Sequence, residues 1–119
     1  VKTAPVVFGI DVIVPQIIEI GMQRAPSEAC GIVVPDLDVP AADWVHELQN
    51  RSSDPLTSYE IDTATIKQLV DDSDAWADVL VWHTHPKGGV GPSKGDMESK
   101  VQGLRYLVVA LPRGEAVLF

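Results

Sequence analysis

Apolar positions along the chain fall into short blocks separated by polar, proline-rich breaks, and the period within each block predicts its structure. Val6-Val7-Phe8 is a short β-prone run. Pro15 opens a stretch with Ile17, Ile18, Ile20 and Met22 that fits a helix with proline in its first turn. Ala29 to Val34 is continuously apolar and is stopped by Pro35, which suits a strand buried on both faces. Residues 35–43 hold two prolines and three aspartates and read as a loop, after which Trp44 to Gln49 alternates like a strand.

Asn50 to Ser58, rich in Ser, Asp and Pro, is a second loop. Asp62 is a plausible N-cap for a helix whose stripe is Ala64, Ile66, Leu69 and Val70, ending at the Asp71 to Asp74 cluster. Val79 to Trp82 is a further apolar strand that runs straight into His83-Thr84-His85-Pro86. Lys87 to Pro92 has three glycines in six residues and must be a loop. Ser93 to Gln102 reads as a short helix, Tyr106 to Leu111 as a buried strand, and Glu115 to Phe119 as a last strand after the Pro112-Arg113-Gly114 turn. Strands alternate with helices, so an α/β or α+β sandwich is expected.

Length and charge narrow the field. At 119 residues the chain is the size of one domain, so residues 1–119 are expected to form a single unit. A net charge of −8 repels phosphate backbones and anionic membrane surfaces, which argues against nucleic acid and membranes as partners. Val1 to Ile10 shows no basic region followed by a long apolar core, and no run approaches the roughly 18 apolar residues of a membrane span. The lone Cys30 excludes a cystine-stapled scaffold and fits a cytoplasmic setting. It reads as a small buried hydrophobe.

The chemistry concentrates after the 79–82 strand. Side chains two apart on a strand point to one face, so His83 and His85 are placed to share one ion at a strand end fixed by Pro86. Past the glycine-rich loop, Asp96 lies in the first turn of the next helix and offers a third, carboxylate ligand. Two His and one carboxylate leave one position open, the pattern of a hydrolytic zinc site, where Zn2+ brings the pKa of a water to around 7. Glu28 is the candidate general base and acid, and Ser93 the candidate donor to the developing oxyanion.

Plainer readings exist for each part. Ser93-Lys94-Gly95-Asp96 is also a capping box, and caps are far commoner than metal sites. A lone His-x-His pair does not fix a third ligand, and a lone Glu28 is more often an exposed carboxylate. His46 reads as a surface or packing histidine, and Trp76 and Trp82 as core anchors. The H-x-E and C-x-x-C pair of nucleobase deaminases and the H-E-x-x-H of thermolysin-like proteases are both missing.

Together, Glu28, His83-x-His85-Pro86, and Ser93 and Asp96 at their spacing resemble the JAMM signature of the MPN metalloprotease family, with all five positions filled. The resemblance implies an α/β fold, a mixed sheet flanked by helices in a cytidine-deaminase-like arrangement. It also implies Zn2+ held by His83, His85 and Asp96, with Glu28 activating water and Ser93 steadying the tetrahedral intermediate. The implied activity is hydrolysis of a peptide or isopeptide bond in a protein or peptide with an extended tail.

Ser27 to Gly31 and the Asn50, Pro55 and Tyr59 segment are similar to the small prokaryotic and phage tail-assembly branch. Members of that branch often carry an NlpC-type peptidase domain after this one, so a flanking NlpC-type domain or an assembly partner is an implied companion. The 54 residues between Glu28 and His83 leave little room for the insertions with which eukaryotic deubiquitinases hold ubiquitin. The alternative is a non-catalytic MPN-type scaffold module, but scaffold members usually lose one or more of the five positions. A purely structural zinc would need a fourth protein ligand.

Overall fold

The three longest apolar runs become the centre of a sheet, and the amphipathic stretches cover it. The computed structural model describes residues 9–36, 38–69, 79–101 and 104–119. The strand expected at Val6 to Phe8, together with Trp76 and the Asp71 to Asp74 cluster, lies outside the described residues. In chain order the elements are α1 (Ile10–Arg24), β1 (Cys30–Val33), a 3-10 turn (Ala41–Asp43), β2 (Val45–Leu48), α2 (Thr63–Leu69), β3 (Leu80–His85), α3 (Lys94–Glu98), β4 (Arg105–Ala110) and β5 (Ala116–Leu118).

The five strands form one sheet in the order β2-β1-β3-β4-β5. β3 and β4 run parallel and the other neighbours antiparallel, so the sheet is mixed and the class α/β. A parallel pair needs a crossover. Here the crossover leaves the end of β3 and carries α3, which is how Asp96 is brought back beside the strand that ends in the histidines.

One sheet face packs on α1. Ile13, Ile17 and Gly21 form the buried stripe of that helix, and the two isoleucines join Val33, Leu80, Trp82, Leu107 and Val109 in one core. Burying each isoleucine is worth about 1.5–3 kcal/mol. Gly31 makes the layer possible, because a Cβ there would collide with the His46 carbonyl and the Trp82 ring. Trp82, the largest fully buried side chain, is a core anchor as expected.

The opposite face carries Ile32, Val81 and Tyr106, covered by Ile66 of α2 and by Tyr59 and Ile61 of the preceding loop. Period-two alternation continues this face along β3 into His83 and His85. The face therefore changes from apolar to polar at its C-terminal mouth.

Two helices differ from the sequence reading. α1 opens at Ile10 rather than at Pro15, which sits inside it. Proline there removes the bond to the Asp11 carbonyl, and both residues are exposed, so the loss falls on the solvent side of the helix. α3 is shorter than Ser93 to Gln102, ending at Glu98. Gly95 is a weak helix former and Ser93 is the cap rather than part of the helix; Gln102 lies outside the described residues. Asp62 does cap α2, its Oδ1 accepting from the Ala64 N–H at 3.0 Å.

Candidate metal centre

β3 presents both imidazoles on one side, and their Nε2 atoms lie 3.3 Å apart. Asp96 Oδ2 is 3.1 Å from His83 Nε2 and 3.0 Å from His85 Nε2. What aims the carboxylate is the capping box. The Ser93 N–H donates to Asp96 Oδ2 at 2.8 Å, and the Asp96 N–H donates to Ser93 Oγ at 3.0 Å.

Three ligand atoms 3.0–3.3 Å apart match the edges of a zinc coordination sphere. Tetrahedral bonds of about 2.0–2.1 Å set neighbouring ligand atoms roughly 3.3 Å from one another. The protonation pattern agrees. His85 Nδ1–H donates to the Gly89 carbonyl at 2.9 Å, which leaves Nε2 as the ring nitrogen turned to the site. Burial holds His83 below the ordinary histidine value, against the opposing hydrogen bond that the ring donates to Asp96, and so favours the neutral ring. Burial alone would raise Asp96, but its hydrogen bonds to His83 and the Ser93 N–H hold it well below the usual carboxylate range. Two imidazoles and a carboxylate are a donor set that suits zinc.

Glu28 approaches from β1. It stands two residues before Cys30, the register partner of His83, and offers an oxygen that lies with one nitrogen of each histidine within a 4.8 Å span. These three residues form a group able to hold a metal ion, although Asp96 makes the shorter contacts to both rings. Glu28 is buried and its Oε1 has no hydrogen-bond partner among the described residues. Burial is the main reason its pKa rises from 4.5 to about 7; His85 pulls it down and Asp96 adds to the rise. A carboxyl poised there can both take and give a proton near neutral pH.

Ser93 lies at the exposed rim. Its Oγ accepts from Asp96 N–H, so its own hydrogen remains free to donate. With Glu28, His85, Leu56, Lys87 and Val90 it lines a cleft of about 340 Å³. Gly88, at φ +87°, closes the turn that starts this cleft, its N–H donating to the His85 carbonyl at 3.1 Å. A larger cleft of about 550 Å³ lies on the other flank of Glu28, beside Arg24 and Glu47, away from the histidines. All five residues singled out in the sequence thus come to one mouth of the sheet.

Two further residues enter the sequence reading only through the resemblance, with no chemical role attached. Asn50 spends its whole side-chain capacity on the backbone around Glu28 and Tyr59. Its Nδ2 donates to the carbonyls of Glu28 and Ser58, each at 3.0 Å, and its Oδ1 accepts from the N–H groups of Ser52 and Glu60 at 3.0 and 3.1 Å. The Glu28 N–H donates to the Pro55 carbonyl at 2.8 Å. Tyr59 stacks on the His83 ring with centroids 4.3 Å apart. Cys30 is buried, with its thiol pushed up to about 12 by burial first and then by Glu47 and Glu28, so it packs rather than reacts. His46 pairs with Ile32 on β2 and stands outside the group. Among the described residues no helix is long and apolar enough to cross a membrane.

A desampylase of Haloferax volcanii is 28% identical over 86 residues, 70% of this chain, and the chain spans 62% of that relative's length. Residues 12–117 match the family described as prokaryotic homologs of the JAB domain, a span that runs from within α1 to within β5. With that coverage, the mixed sheet and the grouping of Glu28, His83, His85, Ser93 and Asp96, the chain belongs to the prokaryotic JAB branch of the JAMM/MPN family.

Proposed function

We propose that the protein is a zinc-dependent hydrolase of peptide or isopeptide bonds, with His83, His85 and Asp96 as the metal ligands. The observation that carries this reading is the triangle of His83 Nε2, His85 Nε2 and Asp96 Oδ2, with edges of 3.0–3.3 Å, beside the buried Glu28, whose Oε1 has no hydrogen-bond partner among the described residues. When bound there, Zn2+ supplies Lewis acidity to a carbonyl oxygen and acidifies water.

The chain's own residues do the rest. Glu28 takes the proton of the attacking water and delivers it to the leaving nitrogen, a transfer that suits a carboxyl whose pKa is about 7. Ser93 donates its free hydroxyl hydrogen to the carbonyl oxygen as charge develops. Asn50 and Pro55 fix the backbone of Glu28 from both sides, so the base is held where the proton must move.

The proposed substrate is a protein or peptide with an extended tail, lying along the β2 edge of the sheet by strand addition. β2 is an outer strand, and the larger cleft beside it reaches Glu28. The relative's name, desampylase, supports the isopeptide form of the reaction. The tail of a ubiquitin-like protein is the preferred substrate class, with a phage tail-assembly protein as the second choice. We place the reaction in the cytoplasm, where a free buried Cys30 is at home.

Elemental analysis of the purified protein tests the site. The parent is expected to carry about one zinc per chain. His83→Ala and Asp96→Ala lose it, whereas Glu28→Gln keeps it and loses hydrolysis. Full zinc occupancy in the His83→Ala, Asp96→Ala double variant refutes the ligand assignment.

A further inference from the structure

The two histidines are held in different ways. His85 has the support usual for a metal ligand, its second ring nitrogen bonded to a backbone carbonyl. His83 does not. It is fully buried, and its Nδ1 has no hydrogen-bond partner among the described residues. Apart from the contact of Nε2 with Asp96 Oδ2 at 3.1 Å, packing contacts then decide how the ring turns about its side-chain torsion. They come chiefly from Tyr59, which lies nearly parallel to the imidazole at 20° and 4.3 Å, and from Phe119, edge-on at 6.4 Å and 84°.

We propose that Tyr59 is a positioning residue for the metal centre, its stacked ring fixing the plane of His83 where the usual hydrogen bond to Nδ1 is missing. This rests on the reading of His83, His85 and Asp96 as metal ligands. A flat ring against a flat ring restricts rotation without needing a polar group, and so aims Nε2 toward His85 and Asp96. The platform is itself anchored. The residues on either side of Tyr59 are both bonded to Asn50, through the Ser58 carbonyl and the Glu60 N–H, and the same amide holds the Glu28 carbonyl. One side chain therefore sets the height of the platform under His83 and the position of Glu28. The hydroxyl of Tyr59 plays no part in this role, whereas the ring is essential.

The test is zinc affinity of the full chain, measured by competition with a chromophoric chelator, for the parent, Tyr59→Phe and Tyr59→Leu. Loss of a group that orients a ligand costs about 10- to 100-fold in metal affinity. Tyr59→Leu is expected to weaken zinc by that factor and to shift the visible absorption bands of the cobalt-substituted protein. Tyr59→Phe is expected to match the parent in both. Should leucine unfold the chain, Tyr59→Met keeps the packed volume without a flat ring and carries the same expectation. Parent-level zinc affinity and an unchanged cobalt spectrum in the folded variant that lacks the ring overturn the proposal while leaving the ligand assignment standing. A parent that binds no zinc overturns both.

Discussion

Replacing Glu28 with glutamine separates two consequences of burying a carboxyl. In the metal-free protein the folded state holds the Glu28 proton more tightly than the unfolded chain does, because the pKa rises from 4.5 to about 7, chiefly through burial. The carboxyl therefore costs almost nothing below pH 4.5. The cost grows as pH rises toward 7 and is complete above it. At 1.36 kcal/mol per pH unit the ceiling is about 3 kcal/mol. Glu28 also lines two clefts that water reaches, so screening lowers the expected cost to about 1–2 kcal/mol.

Glutamine has the same shape and does not ionise. Urea unfolding in excess chelator should thus show Glu28→Gln gaining about 1–2 kcal/mol on the parent between pH 5 and pH 8. Hydrolysis by the zinc-loaded variant should be lost at both pH values. A stability difference that is the same at pH 5 and pH 8, or that moves in the parent's favour as pH rises, would show that burial does not control this carboxyl.

Two further substitutions probe the frame around the site. Ser93→Ala removes the cap, at about 0.5–2 kcal/mol of stability, and the oxyanion donor, at about 100- to 1000-fold in kcat; parent turnover in a variant that keeps its zinc would remove Ser93 from the reaction. Asn50→Ala strips four backbone groups of their partner, and is expected to destabilise by about 1–3 kcal/mol and to lower kcat while the zinc ligands stay intact. Unchanged denaturation and kinetics would mean that the loop holds its shape without it.

The sequence made the sheet legible because its strands are apolar runs with sharp stops. Cys30 to Val33, Leu80 to His85 and Arg105 to Ala110 are each ended by a proline or a turn, and the period-two rule places His83 and His85 on one face. Helix limits were harder to read. Pro15 marks a helix start only when its missing N–H falls in the first turn, and an exposed Asp11 carbonyl tolerates it further in. Asn50 and Tyr59 carried no readable chemistry, since an amide that bonds only to backbone and an aromatic ring in a loop look the same in sequence as ordinary turn and core residues. Their roles depend on which strand ends the loop happens to cross.

Ser93 and Asp96 illustrate a different limit. As a capping box and as part of a metal site they looked like competing readings, yet the structure uses one arrangement for both. Asp96 Oδ2 accepts the Ser93 N–H while lying within 3.1 Å of both imidazoles. A five-residue helix holding a glycine has little intrinsic stability, so the cap is what orders the carboxylate in the first place. The local bond that starts α3 thereby fixes the direction of the ligand. This explains why a short, weak helix suffices at a place where a ligand must be held firmly.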